Sequence, residues 1–218
     1  KGKNRQMLGR THFFIGTAAA LAVLQPQTVP ALVAGAGAAA IGGLISDIDV
    51  GTSQAHRDAD KIITATVAVA VLTILAEYKL NLGIYRRLTS DSSVLRLLAG
   101  TAAFLLICAY GKQQPHRSFM HSFAALTLLT ACVDIIYPDV SAYFAVGFLS
   151  HLVLDFFNRK PEKLFWPWKK GFCLGLCSAR GLVNRALLGC GMVSLAVILV
   201  LSAPAGRLMA KIMRAIYG

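Results

Sequence analysis

Apolar runs recur along nearly the whole chain, at about residues 13–24, 29–45, 62–76, 94–110, 123–137, 142–158 and 186–203, separated by short polar stretches. A backbone in hydrocarbon must satisfy its amides within the segment, so runs of this kind fold as helices and as little else. The expected fold is all-α: a polytopic membrane helix bundle of about seven spans, forming a single domain over residues 1–218 with no internal repeat. Composition agrees, since 15% of the residues are charged where a soluble domain carries roughly 25%. The net charge of +12 could suggest a nucleic-acid binder, but the Lys and Arg lie in short stretches between apolar runs and form no long basic face. No nucleic-acid partner is expected. The five cysteines are odd in number and imply no disulfide framework, and Cys173-x-x-x-Cys177 is only a weak zinc hint.

Boundaries follow from local chemistry. Lys1, Lys3, Arg5 and Arg10 ahead of the first run imitate a signal peptide, but Gln25 to Ala31 makes a poor cleavage site, so the first helix is expected to be retained. The second run carries Gly35, Gly37, Gly42 and Gly43, small residues that let helices approach closely in a bilayer. Pro138-Asp139-Val140-Ser141 is expected to be a tight turn into the sixth helix, which ends at Asn158. Trp166-Pro167-Trp168 stands among the cations of the 159–185 stretch, as suits a headgroup layer. A short basic amphipathic tail closes the chain over Arg207 to Tyr217.

The ionisable residues inside or beside the apolar runs are the informative ones, because such groups are expensive in a membrane. His151 and Asp155 are four apart on one helical face, which is metal-ligand spacing, although a buried hydrogen bond tying helices together needs the same spacing. Asp47 and Asp49 would diverge by about 200° on a continuing helix and point the same way in a turning segment, so the pair belongs to a helix end. His116 and His121 reach one site if the first lies in the loop opened by Pro115 and the second in the first turn of the fifth helix. His12 precedes the first helix. His56, among Arg57, Asp58 and Asp60, reads as a solvated histidine, and Asp134 as an interfacial carboxylate at the far end of the fifth helix.

Counting spans from the amino terminus puts His12, Asp47, Asp49, His116, His121, His151 and Asp155 on one membrane face. Of the 22 Lys and Arg, 15 fall on that side and 7 on the other, so the positive-inside rule makes it cytoplasmic. Several His with three Asp suit borderline cations such as Zn²⁺, and the set is large enough for two or three ions. Paired divalent ions activate water near neutral pH and clamp an oxyanion, the chemistry of phosphoester hydrolysis.

Thr11-His12, Asp47-x-Asp49, His116-Arg117-x-x-x-His121-Ser122 and Gly147-x-x-Ser150-His151-x-x-x-Asp155 resemble, in order, the motifs of the bacterial and archaeal inner-membrane metal-dependent hydrolase family typified by YdjM, itself distantly similar to zinc-dependent phospholipase C. The resemblance implies that His12, Asp47, Asp49, His116, His121, His151 and Asp155 are the metal and catalytic set; within it Asp49, His116 and His121 are expected to be catalytic, and Arg117 joins them through the match of its guanidinium to phosphate. The donor set favours divalent ions, Zn²⁺ first and Mn²⁺ second. The chain departs from the family pattern at Ser118, Met120 and Asn184. The expected function is a hydrolase of the bacterial inner membrane that uses metal-activated water on a phosphoester of a lipid or other anionic amphiphile, with Arg117 on the phosphate. The alternatives are a metal-ion or proton-coupled transporter, in which ionisable groups should appear at several depths, and a non-catalytic protein with a structural His/Asp cluster.

Overall fold

The computed structural model describes residues 6–51, 92–176 and 181–217. It contains α1 (Gln6–Leu24), α2 (Val29–Ile45), α3 (Ser92–Gln113), α4 (Phe123–Ile136), α5 (Pro138–Phe156), α6 (Leu182–Leu201) and α7 (Ala203–Tyr217). Two 3₁₀ turns, Ser46–Asp49 after α2 and Phe119–His121 before α4, complete the helical elements. No strand occurs among the described residues; the one extended pairing there is an isolated antiparallel bridge between Glu162 and Phe172. The molecule is an all-helical membrane bundle. Four of its helical segments are long and apolar enough to cross a bilayer, Val29–Asp49, Ser93–Gln113, Pro138–Phe156 and Leu182–Leu201, while Gly9–Leu24 and Phe123–Ile136 are shorter apolar helices. The expected third span, 62–76, and His56 lie outside the described residues.

Helix α2 starts where its sequence says it should. Thr28, in extended conformation, caps it by accepting the amide of Ala31, and Pro30 stands in the first turn, where a missing N–H costs nothing. The same rule corrects the reading of Pro138–Ser141, which form the first turn of α5 rather than a turn ahead of it. Pro138 begins the helix, and the Ser141 hydroxyl lies within hydrogen-bond distance of both the Pro138 carbonyl and Asp134. Helix α5 ends at Phe156, two residues short of the expected Asn158, and α6 begins at Leu182 rather than at 186, which brings Asn184 inside the helix.

Helices α1, α2 and α5 pack on one another at the centre. Helix α4 packs on α5, α3 on α4, and α6 on α1. Glycine makes the central seam close. A Cβ on Gly147 of α5 would run into the Ala39 carbonyl of α2, and one on Gly42 into the Phe144 carbonyl of α5. Gly35 and Gly43 also face neighbours, whereas Gly37 meets nothing within 4 Å. In hydrocarbon such close approach is a main source of helix association, because lipid offers no hydrophobic drive of its own. Ile48, Phe119, Met120, Leu129, Phe144, Phe148 and Leu152 form the core between α5, α4 and the two 3₁₀ turns. Helix α6 presents Leu182, Val193, Val200 and Leu201 outward, each more than 60% exposed, as expected of a lipid-facing surface.

Candidate metal centre

The end of the bundle where α2 and α5 finish and α4 begins gathers the ionisable side chains. His12 lies at the end of the second turn of α1, inside the helix rather than ahead of it, because α1 starts at Gln6. His151 and Asp155 share the inner face of α5, both buried, as their spacing requires. His116 lies in the loop after α3, and His121 ends the 3₁₀ turn that leads into α4 rather than standing in α4 itself. Asp47 and Asp49 sit in the 3₁₀ turn, where residues two apart diverge by about 120° at three residues per turn. They therefore do not point the same way. Asp47 faces His151, while Asp49 faces His116 and His121.

Four imidazoles stand in a row. The His12 ring stacks on His151 with centroids 3.8 Å apart, His151 meets His121 edge-on at 5.1 Å, and His121 meets His116 at 5.0 Å. The glycine seam fixes the second member: it brings the Gly43 carbonyl to 2.8 Å from His151 Nδ1. A carbonyl only accepts, so Nδ1 carries the proton and the Nε2 lone pair is turned into the cluster, the second-sphere arrangement usual for a metal-binding histidine. His151 Nε2 lies 3.3 Å from His121 Nε2 and 3.9 Å from Asp47 Oδ1. His12 Nε2 lies 3.5 Å from Asp155 Oδ1, His121 Nε2 lies 3.6 Å from Asp155 Oδ2, and His121 Nδ1 lies 3.3 Å from Asp49 Oδ2.

These separations are long for hydrogen bonds. They match the edges of a coordination shell, since donors on a tetrahedral zinc with bonds of 2.0–2.1 Å stand about 3.3–3.4 Å apart. Among the described residues, three groups have ligand atoms mutually within 4.8 Å and could hold a metal ion: His12, His151 and Asp155; Asp47, His121 and His151; and Asp49, His116 and His121. His151 belongs to two of them and His121 to two, so the groups run together as one chain of sites. The buried Nδ1 atoms of His12 and His121 have no hydrogen-bond partner among the described residues. Mixed imidazole and carboxylate donors suit Zn²⁺ or Mn²⁺, so the residues present fit a divalent ion.

Around the ligand groups lies a ring of supporting contacts. His116, the most exposed member, donates from Nδ1 to Asp49 Oδ1 at 2.9 Å. Asn158 donates to Asp155 Oδ1 at 2.8 Å, and the Thr11 hydroxyl donates to Asn184 Oδ1 at 3.0 Å, tying α1 to α6 beside His12. Arg117 adopts a left-handed backbone, φ 64°, which is uncommon for such a side chain and is kept only where surrounding contacts over-determine it. Here its amide donates to Asp49 Oδ2, its carbonyl accepts from Lys163, and its guanidinium donates to the Lys160 carbonyl and to Asp155 Oδ2, the last at 2.6 Å. Arg117 therefore stands on a ligand carboxylate and on the 157–176 loop at once.

That loop supplies the residue the sequence reading missed. Glu162 is fully buried, and both of its carboxyl oxygens lack a hydrogen-bond partner among the described residues. Burial pushes its carboxyl up to about 8; the Asp155 charge adds to this, while His121 and Arg117 oppose it. Burial alone would lower the His121 pKa, but Asp49 next to it, with the charges of Asp155 and Asp47 behind, raises it above the ordinary histidine value. Cys173 is exposed, and Cys177, its candidate partner, lies outside the described residues.

A family model, that of the YdjM inner membrane protein, matches residues 7–216. No curated protein and no solved structure matches the chain.

Proposed function

This chain belongs to the YdjM inner membrane protein family, and from that premise we propose that it is a membrane-embedded, metal-dependent hydrolase of a phosphoester in a lipid or other anionic amphiphile. The observation that carries this reading is the clustering of three His/Asp groups around His121 and His151, which places seven candidate ligands together, enough for more than one ion. When bound, such ions supply an acidified water and positive charge for phosphoryl oxygens. His12, Asp47, Asp49, His116, His121, His151 and Asp155 would hold them. His116, with Nδ1–H on Asp49 and its ring partly open to the outside, would carry a proton between the site and solvent only while its other nitrogen is free of an ion. Arg117 brings planar donors that match phosphate oxygens. The charge asymmetry of the polar segments supports a cytoplasmic site face.

The distribution of buried charge favours an enzyme over a transporter. Among the described residues the buried ionisable side chains other than cysteine and tyrosine are His12, Asp49, His121, His151, Asp155 and Glu162, all at one end of the bundle. A path across the bilayer would need them at several depths. Asp134, towards the other end, is engaged locally by Ser141.

The test is metal analysis of the purified protein followed by assay of phospholipids and isoprenoid phosphates in detergent with Zn²⁺ or Mn²⁺. Phosphate or headgroup release by the wild type is expected. Arg117→Lys should cut turnover by about tenfold or more, about 1.4 kcal/mol, with metal content near normal, because Lys keeps the charge and loses the planar fork. Absence of release from every anionic lipid by metal-loaded protein would move the assignment to a transporter.

A further inference from the structure

Glu162 has no role in the function just proposed, and its place is costly. A buried acceptor without a donor loses its hydration and gains nothing in return. Only its backbone is tied down, by the paired hydrogen bonds Glu162 N to Phe172 O and Phe172 N to Glu162 O, at 3.0 and 2.9 Å. The side chain is held within electrostatic reach of Arg117, His121 and Asp155.

Arg117 is the complement of this orphan. One of its terminal nitrogens is on Asp155 Oδ2 and the other on the Lys160 carbonyl, two residues from Glu162, while its Nε is buried with no acceptor among the described residues. The amide of Lys163, which follows Glu162, donates to the Arg117 carbonyl at 3.0 Å, so the two residues are laced to the same short segment. Asp155 meanwhile has two claimants. The guanidinium lies 2.6 Å from Oδ2, and the same carboxylate completes the group His12, His151 and Asp155. A divalent ion and a guanidinium on one buried carboxylate repel each other where little water screens them.

We infer that Glu162 is the acceptor to which Arg117 moves when a divalent ion takes Asp155, so that loading the centre exchanges one ion pair for another. The Arg117–Asp155 pair breaks, Asp155 gains the ion, and Arg117 gains Glu162, which joins the pair as a carboxylate after giving its proton to solvent. The contact between Arg117 and the Lys160 carbonyl serves as the pivot, since Lys160 lies two residues before Glu162 in the same loop. Glu162 is thus a positioning residue for metal loading, acting through Arg117. The inference rests on the metal-binding part of the proposed function and is independent of hydrolysis.

The experiment measures Zn²⁺ affinity of the full chain in detergent, by competition with a chromophoric chelator, for wild type, Glu162→Gln, Arg117→Asn and the double variant. Asn is chosen because it tolerates the left-handed backbone at this position. Glu162→Gln keeps the shape and loses the charge, and should weaken Zn²⁺ binding by about tenfold or more, within the range usual for groups behind a metal ligand. In the Arg117→Asn background there is no cation to relocate, so the same change should shift affinity by less than about twofold, a non-additivity that a general electrostatic or structural role would not produce. Equal losses in both backgrounds, or no loss in either, would overturn the inference while leaving the metal centre in place. A wild type that binds no Zn²⁺ would overturn the proposed function and the inference together.

Discussion

Asp134 and Asp155 are both carboxylates on the inner helices α4 and α5, and they stand in opposite circumstances. Asp134, at the turn between the two helices, is engaged by one neighbouring hydroxyl, that of Ser141. Asp155, at the other end of α5, is 3% exposed and faces His12, His121, Arg117 and Asn158. The residue type is the same. What differs is the company the fold brings: the turn near Asp134 is made by residues adjacent in sequence, whereas Asp155 is met by two distant stretches of chain, around His12 and around Arg117 and His121. A carboxylate in a membrane protein becomes a candidate ligand when distant segments spend their own polar groups on it.

The largest effect should come from prising that end open. Gly147→Ala drives a methyl into the Ala39 carbonyl and should destabilise the protein by about 1–3 kcal/mol or more, with metal content falling as the Gly43 carbonyl is pushed off His151. Gly37→Ala, on α2 across the seam from Gly147 but with nothing within 4 Å, should be neutral or gain up to about 1 kcal/mol. Thermal unfolding in detergent with metal analysis compares them, and equal losses would show that the close approach is not what orders the site.

Next in size is the direct comparison of the two carboxylates. Asp155→Asn keeps the shape and removes the charge and should lower bound metal by about tenfold or more. Asp134→Asn can still accept from Ser141 and should leave metal content unchanged and stability within about 0.5 kcal/mol. Elemental analysis of the two purified variants decides it, and a metal loss in Asp134→Asn would erase the distinction.

The smallest expected effect concerns pH. In the folded, metal-free protein burial raises the Glu162 carboxyl to about 8 from its ordinary value of 4.5. A raised acid stabilises the fold fully below its unfolded pKa, and that contribution is lost as pH rises through the folded one. Metal-free wild type should therefore lose melting temperature between about pH 4.5 and 8 relative to Glu162→Gln, by roughly 2–4 °C for each kcal/mol. Parallel pH profiles for the two proteins would show that Glu162 is not buried as an acid.

Much of this was legible in the residues. The bounds of α2 follow from Thr28, Pro30 and the apolar run, and the pairing of His151 with Asp155 follows from helical spacing. The proximity of His116 and His121 follows from the proline-opened loop. The divergence of Asp47 and Asp49 did not follow, because a 3₁₀ turn and an extended turn send i and i+2 in different directions and nothing local selects between them. Glu162 was invisible for a different reason. It stands among Arg159, Lys160 and Lys163 in a stretch without periodicity, and its side chain is turned inward by backbone pairings with Phe172 and between Lys163 and Arg117 that no spacing rule encodes. Asn158 and Asn184 are likewise given meaning by partners, Asp155 and Thr11, rather than by neighbours.

The contact between His12 and Asp155 joins α1 to the last turns of α5, and this separation sets a timetable for biogenesis. As the chain emerges from its amino terminus, His12, Asp47 and Asp49 reach the membrane long before the segment that answers them. Contacts so far apart along the chain form late, after the intervening loops have closed. Until α5 is inserted, α2 presents an unfilled glycine seam, Asp47 has yet to meet His151, and His12 has yet to meet Asp155. Docking of α5 is thus the step at which a nascent chain becomes a competent one, and a membrane protease that samples unpaired polar helices has until then to act.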